Sequence, residues 1–359
     1  PEQLAAYNRF TNRNPVERFY FPGAYGLEER SSAAYLQFNL RGAGWSGNVG
    51  LRYVRTQEEI TNYVNADPSD PAAITTSAFG AFKPLVTKHT YEDWLPTANL
   101  KFELSEDVQL RLAATRTLTR PDYSALAGAV SLMPPAVPGG VGSGSGGNPD
   151  LPPILSTNFD AAIEWYYAPR ALFSAAVFRM DIDNYVSLGQ VTKSYFTIDS
   201  NNPQGTFVDY VLTVPVASGA RVNGVEFAWQ QPFGEHFGAF ANFTFADGKT
   251  DDRSPMLGTS KTTWNVGAYF ENALFNARVN YSWREAFYSG LDRASAFYQD
   301  DVGYLSASLG WTINDNFMLT LDGRNLNNPK TRYFAESRER PRSIYENGRQ
   351  YYLSLRMKF

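Results

Sequence analysis

The sequence contains no cysteine. Disulfide bonds, thiolate metal sites and cysteine nucleophiles are therefore excluded. Histidine is also scarce, since His89 and His236 are the only two and lie far apart in the chain. We interpret each as an ordinary strand-end or turn residue rather than as part of a metal or catalytic site.

The usual sequence signatures of catalysis are missing as well. There is no Ser-His-Asp spacing, P-loop, dinucleotide fingerprint or two-histidine metal motif. Paired carboxylates occur at Asp251-Asp252 and Asp300-Asp301, but in polar loops such pairs are usually solvated charge. The formal net charge of −4 gives no general attraction for nucleic acid. We predict that the protein is not an enzyme, has no cofactor or metal, and does not bind nucleic acid.

The sequence has no run of about 18 apolar residues, which excludes a transmembrane helix. The only other structure that satisfies every backbone group in lipid is a closed β-barrel. Half of the residues of a barrel face a wet interior, so the negative mean hydropathy is compatible with insertion into a membrane. Aromatic residues make up 15% of the chain, which suits either a β-sandwich or a membrane barrel.

Alternation of apolar and polar residues with period two is the dominant pattern. It is clearest at 350–359, 275–284, 305–312, 317–322 and 158–167, and it predicts strands. Weaker instances occur at 33–41, 47–56, 94–104, 108–118, 171–183, 222–230, 237–246 and 262–271. We therefore predict roughly thirteen strands of one design.

One cation departs from this pattern. Arg116 falls on the apolar register of its strand. We interpret this as the point where the strand has left the hydrocarbon, where a cation costs little.

Short and long connections alternate between the predicted strands. Short turns are predicted at 105–107, 168–170, 233–236, 271–273 and 314–316. Long polar connections are predicted at 57–90, 119–155, 187–219, 247–260, 285–301 and 327–348. Short periplasmic turns and long extracellular loops are typical of outer-membrane barrels. The glycine-rich stretch 139–147 would alone indicate a flexible linker, but the strand pattern continues on both sides, so we place it in an extracellular loop of one domain.

A soluble all-β protein is the alternative, because its strands would also alternate. Two features favour the barrel. Aromatic residues cluster at the ends of the apolar faces, as at Trp165, Trp283 and Trp311, and the opposite face is polar in nearly every strand. A sandwich would also need caps or short edge strands to protect it.

Several stretches resemble TonB-dependent receptors, in particular a proteobacterial branch often associated with carbohydrate uptake. They are LPTANLKF at 95–102, RTLTRPDY at 116–123, GNPDL at 147–151, STNFD at 156–160, VNGVE at 222–226, ARVNYSWR at 277–284, GRNL at 323–326 and YENGR at 345–349. Each is weak alone, but their order and spacing cover nearly the whole chain. The terminal Phe359 also looks like the signal by which the barrel-assembly machinery recognises its clients.

The resemblance implies an all-β antiparallel transmembrane barrel of 22 strands with a plug domain and a TonB-contact motif upstream. The sequence shows neither plug nor motif, so we expect an excerpt. Residues 28–359 would be the C-terminal part of the barrel, and residues 1–27 an extracellular loop. The implied partners are outer-membrane lipid, the barrel-assembly machinery, an extracellular small molecule, and the TonB energy-coupling complex through the missing N-terminal part.

The implied function is capture and TonB-energised uptake of a scarce solute. The family branch suggests a carbohydrate, and an iron chelate is an open alternative. A passive porin and a soluble β-rich binding protein are the alternatives. Tyrosines of the long loops are the candidate ligand-binding residues, because aromatic rings stack on sugar faces: Tyr123, Tyr185, Tyr195, Tyr288, Tyr298, Tyr333 and Tyr345. The charged residues predicted to face the lumen are Arg278, Arg284, Asp322, Arg324, Arg356 and Lys358.

Overall fold

The alternating segments form strands, and many of these strands are longer than predicted. The structure, a computed structural model, describes residues 17–127, 130–199, 202–292 and 295–358. Its strands are β1 Tyr25–Gly42, β2 Trp45–Asn65, β3 Phe82–Glu103, β4 Val108–Thr119, β5 Ser131–Met133, β6 Gly142–Ser145, β7 Ile154–Ala168, β8 Ala171–Thr197, β9 Thr206–Phe233, β10 Phe237–Thr250, β11 Thr262–Glu271, β12 Phe275–Arg284, β13 Phe287–Asp292, β14 Ser295–Gln299, β15 Val302–Asn314, β16 Phe317–Arg324, β17 Thr331–Ala335, β18 Pro341–Tyr345 and β19 Gln350–Met357.

Helix is rare in the described part of the chain. It amounts to a 3₁₀ turn at Phe21–Gly23 and one short α-helix, α1, at Tyr123–Ala127. None of the described helices has the length and apolarity to cross a membrane. The prediction of a nearly all-β chain is confirmed.

Thirteen strands follow one another in a single sheet, in the order β1-β2-β3-β4-β7-β8-β9-β10-β11-β12-β15-β16-β19. This path confirms the predicted number. The short strands β5 and β6 extend the sheet to fifteen strands, and β6 pairs with β9 in parallel, which is an exception to the predicted antiparallel pairing. Strands β13, β14, β17 and β18 form a separate sheet of four.

The pairing register keeps the apolar residues together. Leu309 of β15 lies opposite Ala277 of β12 and Leu321 of β16. Its neighbour Ser308 lies opposite Arg278 and Asp322. A slip of one residue would exchange these faces, so the register is set by the alternation in the sequence. We call the face that carries Leu309 the outer face and the face that carries Ser308 the inner face.

The short turns lie where they were predicted. In two of them an asparagine side chain closes the turn: Asn272 Oδ1 accepts hydrogen bonds from the backbone of Leu274 and Phe275 (2.9 and 2.7 Å). Asn314 does the same for Asn316 and Phe317, at 3.0 Å each. These are the local bonds that make asparagine a turn residue.

The prediction of long polar connections was wrong in one respect, because strands occupy much of their length. Strands β2 and β3 continue into the predicted loop 57–90, and β8 and β9 fill most of 187–219. The predicted loop 1–27 also ends too late, since β1 begins at Tyr25. Outside the hydrocarbon, strands no longer need an apolar outer face, so the membrane pattern does not reveal them.

The polarity of the strands inverts where they leave the apolar band. On the outer face, Val177 of β8 lies opposite Val225 of β9, whereas two residues further along Arg179 lies opposite Asn223. At the same level the inner face becomes apolar, where Val222 and Phe178 pack with Met256. This inversion marks the outer limit of the band and agrees with our interpretation of Arg116.

The glycine-rich stretch contains an ordered strand. A Cβ atom on Gly144 of β6 would lie 2.4 Å from the Ser131 carbonyl oxygen and 2.7 Å from Leu212 Cδ2. Only glycine fits at such a distance, so the stretch serves close packing between β5 and β9 rather than flexibility.

Gly144→Val should therefore destabilise this extracellular part locally, by about 1–3 kcal/mol, because the added side chain overpacks the contact. Ser143→Val is the matched control, since Ser143 is the exposed neighbour on the same strand. Hydrogen exchange of residues 208–214 measures the effect. Equal protection in both variants would contradict the close packing at Gly144.

Candidate functional site

The four-stranded sheet lies beyond the end of the wall formed by β12, β15, β16 and β19. It is built from the two connections 285–301 and 327–348, in the order β13-β14-β17-β18. Tight antiparallel pairing gives these connections a fixed surface, where the sequence predicted loops. A fixed surface holds aromatic side chains in place at little cost in entropy.

One face of this sheet continues the inner face of the wall. The hydroxyl of Tyr304, on the inner face of β15, lies 3.2 Å from Thr331 Oγ1 of β17. The guanidinium of Arg284, at the end of β12, lies 3.9 Å from the centre of the Phe287 ring. Side chains on this face of the sheet can thus be reached from the same space as the inner wall.

We call the polar and aromatic residues on this face the platform: Phe287, Phe297, Gln299, Tyr333 and Tyr345. Gln299 lies directly opposite Phe287 and Tyr333 across the strands. The rings of Phe297 and Tyr333 are stacked with their centres 5.3 Å apart. Tyr345 meets the edge of Tyr333 at 5.8 Å.

The platform combines flat apolar rings with directed polar groups. The Tyr333 hydroxyl donates a hydrogen bond of 3.0 Å to Gln299 Oε1. Tyr345 is exposed, and the other platform residues are half-buried. Such a surface can stack against an apolar ligand face while the hydroxyl and amide groups orient it.

The opposite face of the sheet carries Tyr288, Tyr298 and Phe334, which pack against one another. The Tyr298 ring stacks on Phe334 at 5.5 Å and meets the edge of Tyr288 at 5.7 Å. The connection 251–261 covers the free edge of β13, where the Gly258 N–H donates to the Tyr288 carbonyl at 2.8 Å. Burial, and then the nearby Tyr298 and Tyr185 hydroxyls, raise the pKa of Tyr288. This face therefore holds the sheet in place.

The remaining predicted tyrosines lie apart from the platform. The Tyr185 hydroxyl accepts a hydrogen bond of 2.9 Å from the Leu257 N–H and so anchors the connection 251–261. Tyr195 packs against the buried Tyr210 in the β8–β9 hairpin, and burial raises the pKa of Tyr195. Tyr123 is exposed at the start of α1. Of the seven candidates, only Tyr333 and Tyr345 belong to the platform.

Three platform residues were missed from the sequence: Phe287, Phe297 and Gln299. A usable signal was present in the aromatic pairs Phe287-Tyr288, Phe297-Tyr298 and Tyr333-Phe334. In a strand, adjacent residues point to opposite faces, so each pair places one ring on the platform and one on the supporting face.

Three arginines near the platform, Arg338, Arg340 and Arg342, are paired with carboxylates. Arg338 contacts both Asp300 Oδ1 and Asp301 Oδ1, at 2.8 and 2.6 Å. Arg342 Nε lies 2.8 Å from Asp292 Oδ2, and Arg340 pairs with Glu336. The Asp300-Asp301 pair, interpreted from the sequence as solvated charge, thus joins two connections. The four-stranded sheet carries little excess of positive charge.

The charged residues predicted to face the lumen share the inner register of the C-terminal strands. Arg278 lies opposite Ser308, with its guanidinium 5.9 Å from the Tyr269 ring centre, and Asp322 lies between Ser308 and Tyr352. The Arg324 guanidinium lies 5.5 Å from the Tyr352 ring centre.

The other three residues predicted to face the lumen are Arg284, Arg356 and Lys358. The Arg284 guanidinium donates to Ser260 Oγ and to the Gly258 carbonyl, at 3.0 Å each. Arg356 lies opposite Met318, and the Lys358 backbone bonds the turn at Asn316. Contact of these residues with a further segment stays a prediction. Phe359 lies outside the described residues.

No three histidine, aspartate or glutamate side chains come together as a possible metal site within the described ranges.

Comparison with known proteins agrees with this architecture. The family model of the TonB dependent receptor-like β-barrel matches residues 2–326. No curated protein matches the sequence. The ferric-catecholate import receptor Fiu of E. coli is 18% identical with a TM-score of 0.63, and 93% of this chain covers 45% of it.

Two further solved structures are similar. The ferric enterobactin receptor PfeA of Pseudomonas aeruginosa, in one mutant form, is 14% identical with a TM-score of 0.62, and 93% of this chain covers 54% of it. The copper transporter OprC is 14% identical with a TM-score of 0.64, and 93% of this chain covers 48% of it. The chain thus spans about half the length of these structures, and at such identities the likeness shows the fold.

Proposed function

The chain belongs to the TonB-dependent receptor family, whose members are outer-membrane β-barrels, and from this premise we propose that it takes part in TonB-energised uptake of a small extracellular solute. The observation that supports the proposal most directly is the platform, which presents stacked rings on the face that continues the inner wall. A passive porin is less well supported, because the family match covers residues 2–326. The same match and the apolar outer face argue against a soluble binding protein.

We propose a carbohydrate as the solute. The stacked Phe297 and Tyr333 rings suit the apolar face of a sugar, and Gln299 supplies an amide for its hydroxyl groups. Arg338, Arg340 and Arg342 of the connection 327–348 are paired with carboxylates, which suits a neutral ligand better than an anionic metal chelate.

A ferric chelate is the second candidate. Fiu and PfeA are described as receptors for ferric catecholate and ferric enterobactin, and a catechol ring can also stack on the platform. The two candidates differ in charge, so direct uptake measurements separate them.

The test compares wild-type cells with cells that lack this protein and with cells that lack TonB. We expect both deletions to abolish accumulation of one class of labelled oligosaccharide, and we expect the deletion of this protein alone to leave the uptake of ferric chelates unaffected. Saturable uptake that survives loss of TonB would contradict energised transport. Loss of ferric chelate uptake alone would replace the carbohydrate by the second candidate.

The other proposed partners follow from the position of the chain in the envelope. The apolar outer face suits outer-membrane lipid, and we propose TonB as the energy-coupling partner. Phe359 ends the apolar face of Tyr351, Leu353, Leu355 and Met357, so we propose that the barrel-assembly machinery recognises it.

Deleting Phe359 and, separately, appending a few polar residues after it should both lower the amount of protein at the cell surface. Appending leaves the Phe359 ring itself in place. If Phe359 served only as an aromatic anchor at the rim of the barrel, the protein would tolerate the appended residues. Normal surface levels in both variants, measured by surface labelling, would remove the assembly role.

A further inference from the structure

Two stretches of the connection between β4 and β7, residues 120–127 and 148–151, pack over the inner face of β1–β3. We call these two stretches together the strap. Its side chains Leu126 and Leu151 are buried against Ile60 of β2, at 0 and 1% exposure, and Leu27 of β1 packs beside them. The strap therefore covers the inner wall above the apolar band, in a region that a solute approaching the inner face from outside would have to pass.

Three ionisable residues form a row under the strap. Glu29 of β1, Glu58 of β2 and His89 of β3 lie directly opposite one another across the three strands. They lie above the band, since the neighbouring outer residues Arg55 and Glu92 form an exposed ion pair. The row crosses the wall at right angles to the strands.

Residues of the strap form polar contacts with both ends of this row. At one end, Arg120 Nε lies 3.1 Å from Glu29 Oε1, and Arg120 Nη2 donates to Ser31 Oγ at 2.9 Å. At the other end, Asp150 Oδ1 lies 3.2 Å from His89 Nε2. Beside it the Tyr91 hydroxyl, whose pKa burial raises to about 12, donates to the Leu151 carbonyl at 3.3 Å.

The carboxylate in the middle of the row, that of Glu58, has an oxygen atom without a hydrogen-bond partner among the described residues. Glu58 is 3% exposed, and this atom is its Oε2. The buried Oε2 atom of Glu29 has no such partner among them either. Among the described residues that these contacts bring together, three carboxylates, of Glu29, Glu58 and Asp150, accompany one arginine, Arg120. A proton on Glu58 therefore reduces the excess of negative charge under the closed strap.

Closure of the strap should depend on pH because it buries the carboxyl group of Glu58. Burial and then the charge of Glu29 raise its pKa above the ordinary value of 4.5, while His89 and Arg120 act in the opposite direction. The closed strap consequently holds a proton on Glu58 more tightly than a lifted strap would. Closure is favoured fully below about pH 4.5 and weakens as the pH rises through the raised pKa.

We propose that the row Glu29-Glu58-His89 and the strap residues Arg120 and Asp150 form a proton-sensitive latch. When Glu58 is protonated, the latch holds the strap against the inner wall, and the strap covers that wall. When Glu58 loses its proton, the repulsion between the carboxylates of Glu58 and Glu29 frees the strap and uncovers the wall. This latch goes beyond the proposed function, and it holds whichever solute is taken up.

The test is hydrogen exchange of the full chain in detergent micelles between about pH 5 and about pH 8, corrected for the intrinsic pH dependence of exchange. Protection of strap residues 122–127 and 148–151 should fall in the wild type, by up to about tenfold for each unit by which closure raises the pKa of Glu58. In Glu58→Gln, which is neutral at every pH, the strap should stay protected throughout. Peptides from β12 and β15 should not change in either protein.

Glu59→Gln is the matched control. It removes the same charge one residue away, but Glu59 lies on the outer face, where it pairs with Lys88 at 2.8 Å. This variant should behave as the wild type does. Asp150→Asn, which weakens the grip on His89, should lower strap protection even at the acid end of the range.

The latch is overturned if wild-type strap protection does not depend on pH, or if Glu58→Gln keeps the wild-type pH dependence. Lost protection in β12 and β15 would show that Glu58→Gln fails to fold. In that case, strap protection in the wild type and in Asp150→Asn still tests the latch. Unchanged strap protection in Asp150→Asn at acid pH would also contradict the proposal.

Discussion

Leu309→Arg should destabilise folding into lipid vesicles by about 2–4 kcal/mol, because the guanidinium would lie in hydrocarbon near the bilayer midplane. Leu309 is half exposed on the outer face, between Ala277 and Leu321 on the neighbouring strands. Outward Val279, Leu319 and Leu355 share this face, and we expect similar costs there.

Ser308→Arg is the matched control, one residue away on the same strand. It places the same charge on the inner face, between Arg278 and Asp322, and should cost much less. Inward Asn280 and Ser354 should also tolerate arginine. Denaturant titration of vesicle-folded protein gives both free energies, and equal costs on the two faces would refute the assigned register.

Tyr333→Ala should weaken ligand binding by roughly tenfold or more, which corresponds to about 1.4 kcal/mol. The substitution removes a stacked ring and the hydroxyl that bonds Gln299, so both parts of the platform are lost. Tyr333→Phe keeps the ring and should cost less. Calorimetry with the oligosaccharide identified by the uptake experiment would measure both effects.

Ile344→Ala serves as the control for Tyr333→Ala. Ile344 is exposed and lies opposite Arg332, so its side chain is on the other face of the same sheet. Binding should not change. A wild-type affinity in Tyr333→Ala, or an equal loss in Ile344→Ala, would remove the platform from the binding site.

The part of the fold within the membrane could be predicted from the sequence because lipid imposes a strict rule. The outer residues of β12, β15, β16 and β19 must be apolar, and their alternation fixes both strand and register. Outside the band this rule no longer applies. From Arg179 onwards the polarity of β8 inverts, so the sequence predicts a polar loop where the strand continues to Thr197.

The candidate site was only partly predictable for a related reason. The tyrosine residues identify the two connections that form the four-stranded sheet. They do not show that Tyr333 lies on the platform face and Tyr298 on the opposite face. That difference depends on the pairing of β14 with β17, which appears in no local pattern. The grip of Arg120 on Glu29 is likewise a contact between distant parts of the chain.

The strands of this chain form an antiparallel wall with one face in lipid. Because the sequence has no cysteine, single cysteines can be placed at each position from Leu305 to Trp311 in β15 and labelled with a fluorophore. With a quencher attached to the lipid chains, we predict strong quenching at 305, 307, 309 and 311 and weak quenching at the positions between them. Quenching without this period of two, or at no position, would contradict the account.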